Sequence, residues 1–261
     1  MSTEDTDGAT PVVCRFVRGR NVLLCAADFG PMFMDLYLQL GQNGVVLEGG
    51  ADERLKLLLA TLTLHAAARP RTETCAWTVH LEEERMNLFA VAENPTGHVT
   101  GQALFENVKT VGRNVLHAET SESAGVRRRS SVGFAAADLL VAAEEFYRQS
   151  EQRVGRFFSV GGDRFAALVA QPDADLAWLR AVEAPEVLSL AEDESYPPLE
   201  TRVYRFACGC TPERVAGAIG AAVRADLDGV FGGEKVIRVS CPRCGTTHEI
   251  ARSLFGEPEA T

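Results

Sequence analysis

The chain has 261 residues, 46% of them hydrophobic, and a formal net charge of −10. Its length predicts about two domains, and its apolar content is enough for a packed core. The acidic charge argues against nucleic-acid binding, which needs a concentrated basic face. The longest apolar run, residues 57–64, is interrupted by threonines and is too short to span a membrane. The first ten residues carry no basic or apolar signal region, so we expect a cytoplasmic protein without membrane or nucleic-acid partners.

The first 170 residues predict antiparallel strands with packed helices. Residues 14–17 and 22–25 flank a polar turn, which is typical of a β-hairpin. Helices are predicted over residues 52–68, ended by Pro70, and over residues 138–152. Alternating apolar residues and turn signals predict further strands over residues 74–81, 86–92, 99–105, 111–118, 126–134, 156–160 and 164–169. Since the strands run together and the helices are segregated from them, the predicted fold class is α+β, with residues 1–170 as the N-terminal domain.

The composition changes after residue 170. Residues 171–201 contain eight acidic residues against the single Arg180, and four prolines interrupt them. Apolar side chains such as Trp178 and Leu188 nevertheless need a surface on which to pack. We interpret residues 171–205 as an acidic linker with one or two short helices, which docks on a neighbouring surface and cannot fold alone.

The last part of the chain predicts a small module over residues 206–257. Thr211, Pro212 and an acid in the first turn start a helix that should run to about residue 227. A strand over residues 235–240 follows, and residues 248–255 close the module. So small a module buries little core, so a bound metal would supply much of its folding free energy, about 10–16 kcal/mol.

Four of the seven cysteines lie in this module, as the pairs Cys208/Cys210 and Cys241/Cys244. Two short thiol pairs brought together by an intervening fold make a four-sulfur site, for which zinc is the favoured metal and an iron–sulfur cluster the less favoured one. A one-residue gap in an extended segment would place both sulfurs of the first pair on one side, and a disulfide across it would be strained. His248 could replace a ligand or hydrogen-bond a sulfur. The sequence leaves two interpretations of this site: a purely structural zinc site and a redox-sensitive one.

The other candidate groups favour structural interpretations. Cys14, Cys25 and Cys75 lie in apolar alternating segments and are interpreted as buried small hydrophobes instead of reactive thiols. The basic run 127–129 is interpreted as a solvated hairpin arm, not a phosphate site. The sequence contains no Walker loop, nucleophile elbow or dinucleotide fingerprint, so we expect no enzyme.

With these elements in place, the sequence resembles the heat shock protein 33 family of redox-regulated bacterial chaperones. The resemblance extends over almost the whole chain, and its signature is the C-x-C and C-x-x-C spacing. The segments that carry it are Phe206–Arg214, Val17–Gly19, Met86–Leu88 with Gly101, and Phe146–Gln152. Two departures are a linker that looks shorter than the family usually has, and His248 near a position where the family tends to place an aromatic residue.

The resemblance implies a specific mechanism and specific ligands. Zinc, one ion per chain, would be held in the reduced state by Cys208, Cys210, Cys241 and Cys244. Oxidation would form two disulfides among them, release zinc, unfold the module and linker, and uncover a client-binding surface. The expected function is therefore an ATP-independent holdase for unfolded or partly folded proteins. The protein could act as a monomer or a homodimer. The alternatives are a zinc-stapled interaction protein without redox response, and a thiol–disulfide oxidoreductase that uses Cys241 and Cys244.

Overall fold

The computed structural model describes residues 8–122 and 125–255, which form two compact units that divide between Ala207 and Cys208. The strands are β1 (Thr10–Val17), β2 (Val22–Asp28), β3 (Glu73–Leu81), β4 (Met86–Glu93), β5 (His98–Leu104), β6 (Asn114–Glu122), β7 (Arg127–Phe134), β8 (Gly155–Ser159), β9 (Arg164–Ala170), β10 (Pro198–Phe206), β11 (Val236–Ser240) and β12 (Thr247–Ala251). The helices are α1 (Gly30–Gln42), α2 (Ala51–Ala67), α3 (Leu139–Gln149), α4 (Leu176–Ala181), α5 (Ala184–Glu192), α6 (Pro212–Ala225) and α7 (Leu227–Phe231). The α+β class is confirmed.

The first unit is built on one sheet of ten strands, in the order β7-β6-β3-β4-β5-β10-β1-β2-β9-β8. Strand β10 lies inside this sheet, antiparallel to β1 and parallel to β5. Strand β10 was not predicted, and residues 198–205 were expected in the linker, because Pro197, Pro198 and the acidic surroundings hide the strand pattern. Pro198 is the first residue of the strand, the position at which a sheet tolerates proline. A chain that ended at residue 170 would lack this interior strand.

The sheet buries apolar side chains on both of its faces. Cys25, Phe165 and Ala167 belong to the large core with α1, α2 and α3. Their sequence neighbours Leu24 and Ala166 belong to a second cluster, which α4 and α5 complete with Leu179, Val182 and Val187. Successive side chains of a strand point to opposite faces, so the two clusters occupy the two sides of the sheet. The predicted linker helices thus form and dock on the sheet.

Two helices, α1 and the short α7, were not predicted, and α1 is the longer of them. Its apolar residues do not form a single stripe, because Met32 and Leu36 are buried whereas Met34 and Leu38 are exposed. A proline in the first turn starts the helix. No described helix, over residues 8–122 and 125–255, has the length and apolar character needed to cross a membrane.

The second unit contains α6, α7, the β11–β12 hairpin and a 3₁₀ turn over Arg252–Phe255. Its core is small and includes two of the cysteines. The buried members are Val215, Ala216, Val223, Phe231, Cys241, Cys244, Ile250 and Phe255. The predicted helix start at Thr211 is confirmed, since its hydroxyl accepts a hydrogen bond from the Arg214 amide at 3.3 Å. Residues 256–257 of the predicted module and the first seven residues of the chain lie outside the described residues.

Candidate metal centre

The first cysteine pair lies in the irregular segment just before α6. The sequence analysis expected an extended backbone there, and this is wrong: Gly209 has a φ of 61°, in the left-handed region that glycine adopts without a Cβ penalty. The Arg214 guanidinium donates to the Gly209 carbonyl at 2.7 Å. The capped helix start and this hydrogen bond fix the loop that presents Cys208 and Cys210.

The second pair lies in the turn that joins β11 to β12. The Gly245 amide donates to the Cys241 carbonyl at 2.9 Å, and the Cys241 amide donates to the Thr246 carbonyl at 2.8 Å. Gly245 again has a left-handed φ, 76°. These bonds close a tight turn, which the C-P-R-C-G sequence allows because a glycine follows the second cysteine directly.

The fold brings all four sulfurs together. They lie within 4.8 Å of one another, and they form the one group of candidate metal ligands found among the described residues. The Sγ atoms of Cys208 and Cys241 are 3.7 Å apart, and those of Cys210 and Cys244 are 3.6 Å apart. Sulfurs about 2.3 Å from a tetrahedral zinc would lie about 3.8 Å from each other. The donor set therefore fits a four-coordinate, thiophilic metal ion.

The electrostatics of Cys208, Cys210 and Cys244 favour a cation at the cluster. A hydrogen bond from the Cys208 thiol, together with Thr246, lowers the pKa of Cys244 to about 4 in spite of its burial. The same bond raises the pKa of Cys208, and burial with the neighbouring sulfurs raises that of Cys210 to about 12. Thiolate charge at one sulfur thus keeps its neighbours protonated. A bound divalent cation would offset that repulsion and allow all four to ionise.

His248 contacts one corner of the cluster. Its Nε2 atom lies 3.1 Å from the Cys210 Sγ. Of the two roles left open by the sequence, this geometry favours the hydrogen bond to a sulfur, because four sulfurs already complete a tetrahedral set. Sequence reasoning did not find the roles of Arg214 and Thr246, which act through the backbone and the turn.

The other sequence candidates lie in the first unit. Cys14, Cys25 and Cys75 are buried, as predicted. In the basic run on β7, Arg128 forms an ion pair with the buried Glu73 at 2.8 Å, and Arg129 forms one with Glu119 at 2.6 Å. These pairs agree with the predicted hairpin arm and not with a phosphate site. One contact was missed: the Cys14 and Cys25 sulfurs are 3.1 Å apart.

Three comparisons with known proteins agree with this architecture. The family model described as Hsp33 protein matches residues 163–251, a range that includes all four clustered cysteines. A 33 kDa chaperonin from Aliivibrio salmonicida is 27% identical over 164 residues, 53% of this chain and 56% of that relative, so the match spans about half of its length. The crystal structure of the 33 kDa chaperonin (heat shock protein 33 homolog) from Thermotoga maritima has the same fold, with a TM-score of 0.69 and 15% identity over 94% of this chain and 96% of that one. The three comparisons therefore all find similarity to Hsp33 proteins: the family model covers about one third of this chain, and the structural match shows the same fold.

Proposed function

We propose that this protein is a redox-regulated, ATP-independent holdase that binds unfolded or partly folded proteins. The observation that carries the proposal is the cluster of four sulfurs within 4.8 Å of one another, in a unit with a small core. Thiols kept in the reduced state suit a cytoplasmic protein. In this proposal residues 1–170 bind clients, residues 171–205 form the linker, and residues 206–257 form the switch. The last part of that linker belongs to β10 and lies inside the sheet of the first unit.

Zinc is the proposed metal, held by Cys208, Cys210, Cys241 and Cys244. The ion would neutralise thiolate charge and tie the loop before α6 to the β11–β12 turn. Outside these ligands, the buried side chains of the second unit are few. Loss of the metal would therefore remove a large share of the free energy that keeps α6 and the hairpin folded.

The docked linker supports the idea of a masked surface. Leu179 and Val187 are fully buried, and they cover Leu24, Phe158 and Leu168 on one face of the sheet. An acidic segment with four prolines can leave a surface more easily than an ordinary helix layer can, because it has no core of its own. Undocking would expose a contiguous apolar face of the kind that binds unfolded chains.

Oxidation is the proposed trigger. Two molecules of hydrogen peroxide would take four electrons from the four thiolates and, with four protons from solvent, become four waters, leaving two disulfides among the four cysteines. Disulfide sulfurs are poor zinc ligands, because thiolates are the metal-binding form, so the ion leaves. The cysteines are switched by this reaction and do not turn over a substrate. Burial of Cys241 and Cys244 also argues against a thiol–disulfide oxidoreductase, which presents an exposed nucleophile.

The purified reduced protein tests the metal site directly. We expect one zinc per chain by elemental analysis, release of that zinc in parallel with thiol loss during peroxide treatment, and loss of zinc retention in Cys241→Ser. Cys75→Ser is the matched control and should retain the ion. Stoichiometric iron, or full zinc occupancy in Cys241→Ser, would contradict the assignment. Zinc release without any gain of client binding would favour the zinc-stapled interaction protein.

A further inference from the structure

A second pair of thiols lies in the first unit, in the β1–β2 hairpin. Cys14 on β1 is directly opposite Cys25 on β2, and their Sγ atoms are 3.1 Å apart. Directly opposed residues of antiparallel strands have Cα atoms about 4.5–5.5 Å apart, within the range that disulfides span. The two sulfurs can therefore be joined with little backbone movement.

The surroundings favour one sulfur as the nucleophile. The hydrogen bond from the Cys25 thiol lowers the pKa of Cys14, while the same bond and complete burial raise the pKa of Cys25 well above its ordinary value. Burial and the Glu200 carboxylate oppose this lowering, and the Arg202 and Arg71 guanidiniums add to it. Thiolate character at Cys14 with a thiol in contact is the arrangement that an attacking and a resolving cysteine require.

We propose that Cys14 and Cys25 are a second redox-active pair, which hydrogen peroxide and similar small two-electron oxidants convert to a disulfide. This goes beyond the proposed function, because neither sulfur belongs to the four-cysteine cluster. The Cys14 thiolate attacks one peroxide oxygen and becomes a sulfenic acid, and the other oxygen leaves as hydroxide, which is protonated to water. Cys25 then attacks the sulfenic sulfur, loses its proton and displaces a second water. The balance is two thiols and one peroxide giving one disulfide and two waters.

Burial sets the kind of oxidant. Cys14 is 2% exposed and Cys25 is fully buried, between β10 on one side of the hairpin and β9 on the other. A protein disulfide cannot reach them in the folded sheet, whereas a small uncharged peroxide can enter through local opening. We therefore expect slower oxidation than at the half-buried Cys208 and Cys210. The disulfide would fasten β1 to β2 and raise the unfolding midpoint of this unit.

Peptide mapping of the full-length, zinc-loaded chain tests the proposal. The native protein is treated with hydrogen peroxide, alkylated with N-ethylmaleimide, denatured, alkylated again with a heavier maleimide and digested with trypsin. Cleavage after Arg15 and Arg20 separates the two cysteines. We expect the peptide ending at Arg15 to appear linked to the peptide beginning at Asn21, lighter by two hydrogens than their sum and separated by dithiothreitol.

Two controls separate this pair from the proposed switch and from global unfolding. Cys241→Ser, which lacks the metal site, should give the same linked peptide, so the pair can exist even if the holdase proposal fails. Cys75, buried opposite Ala92 and Thr120, should carry only the heavier label, which marks thiols protected until denaturation. The proposal is overturned if Cys14 and Cys25 also carry only the heavier label after the four clustered cysteines are fully oxidised. It is equally overturned if the link appears only when Cys75 takes the first label.

Discussion

His248 is the residue at which the metal centre departs from its family resemblance. The resemblance predicts an aromatic residue near this position, whereas this chain has an imidazole whose Nε2 lies 3.1 Å from the Cys210 sulfur. A hydrogen bond to a metal-bound thiolate withdraws charge from the sulfur and holds its orientation. If the cluster holds the proposed zinc, this contact would help to retain the ion without adding a fifth ligand.

His248→Ala should weaken zinc binding about 10–100-fold, the usual effect of losing a hydrogen bond to a ligand. Competition with a chromophoric chelator measures the change. Glu249→Ala is the control, because Glu249 is the next residue of β12 and makes an exposed ion pair with Arg238. Equal zinc affinity in His248→Ala and the unaltered protein would show that the contact has no role at the metal.

His65 makes the stability of the first unit depend on pH. Its Nδ1 lies 2.9 Å from the Tyr147 hydroxyl, and its ring packs between Trp77 and Phe146. Burial holds the pKa of His65 well below its ordinary value. The unfolded chain therefore binds one more proton than the folded chain once the pH falls below about 6.5.

The contribution of neutral His65 to the free energy of unfolding should thus be fully present above about pH 6.5. Below that pH it should decrease by up to about 1.4 kcal/mol per pH unit. Urea unfolding followed by tryptophan fluorescence between pH 7.5 and 5.5 measures the slope. His65→Asn removes the titrating ring, so its slope should be smaller by that amount. An unchanged slope in His65→Asn would assign the pH dependence to other groups.

At the scale of elements, the clear patterns were predictable and the interrupted ones were not. Strand β3 alternates over most of its length, β9 is an apolar run that follows a glycine turn, and α6 has a strong start signal, so each was predicted within a few residues. Strand β10 begins at a proline after an acidic segment, and its place between β5 and β1 depends on long-range pairing. The grouping of the four cysteines could be predicted from their spacing alone. The Cys14–Cys25 contact was also within reach, since a hairpin that pairs Val17 with Val22 pairs residue 14 with residue 25.

The linker helices permit a direct test of masking. Leu179 of α4 is fully buried against the sheet, whereas Leu176 of the same helix is 38% exposed. Leu179→Ala should weaken docking by about 2–5 kcal/mol, the usual cost of such a truncation in a core. We expect more binding of an apolar dye and more suppression of client aggregation by the reduced protein. Leu176→Ala should change neither, and equal behaviour of the two variants would contradict masking by this helix.

For the whole molecule, the two units should respond differently to loss of the metal. The first has a ten-stranded sheet with cores on both faces, whereas the second depends on a small core around its cysteines. Zinc removal by a chelator should therefore abolish hydrogen-exchange protection in α6, β11 and β12 and leave it intact in β3 and β4. Retained protection in α6 after complete zinc loss would show that the second unit folds without metal.

Oxidation should then activate the holdase only in part. The sequence predicts a linker shorter than the resemblance implies. Undocking it should therefore uncover less surface, and the reduced protein should already show appreciable activity. The measurement is suppression of client aggregation by reduced, peroxide-oxidised and re-reduced, zinc-reloaded protein at one concentration. We expect oxidised protein to be the most active and the re-reduced form to return to the starting level. Equal activity in all three forms, with zinc loss and disulfides confirmed, would contradict this prediction. The zinc would then be only structural, because its binding free energy would not be coupled to exposure of the client surface.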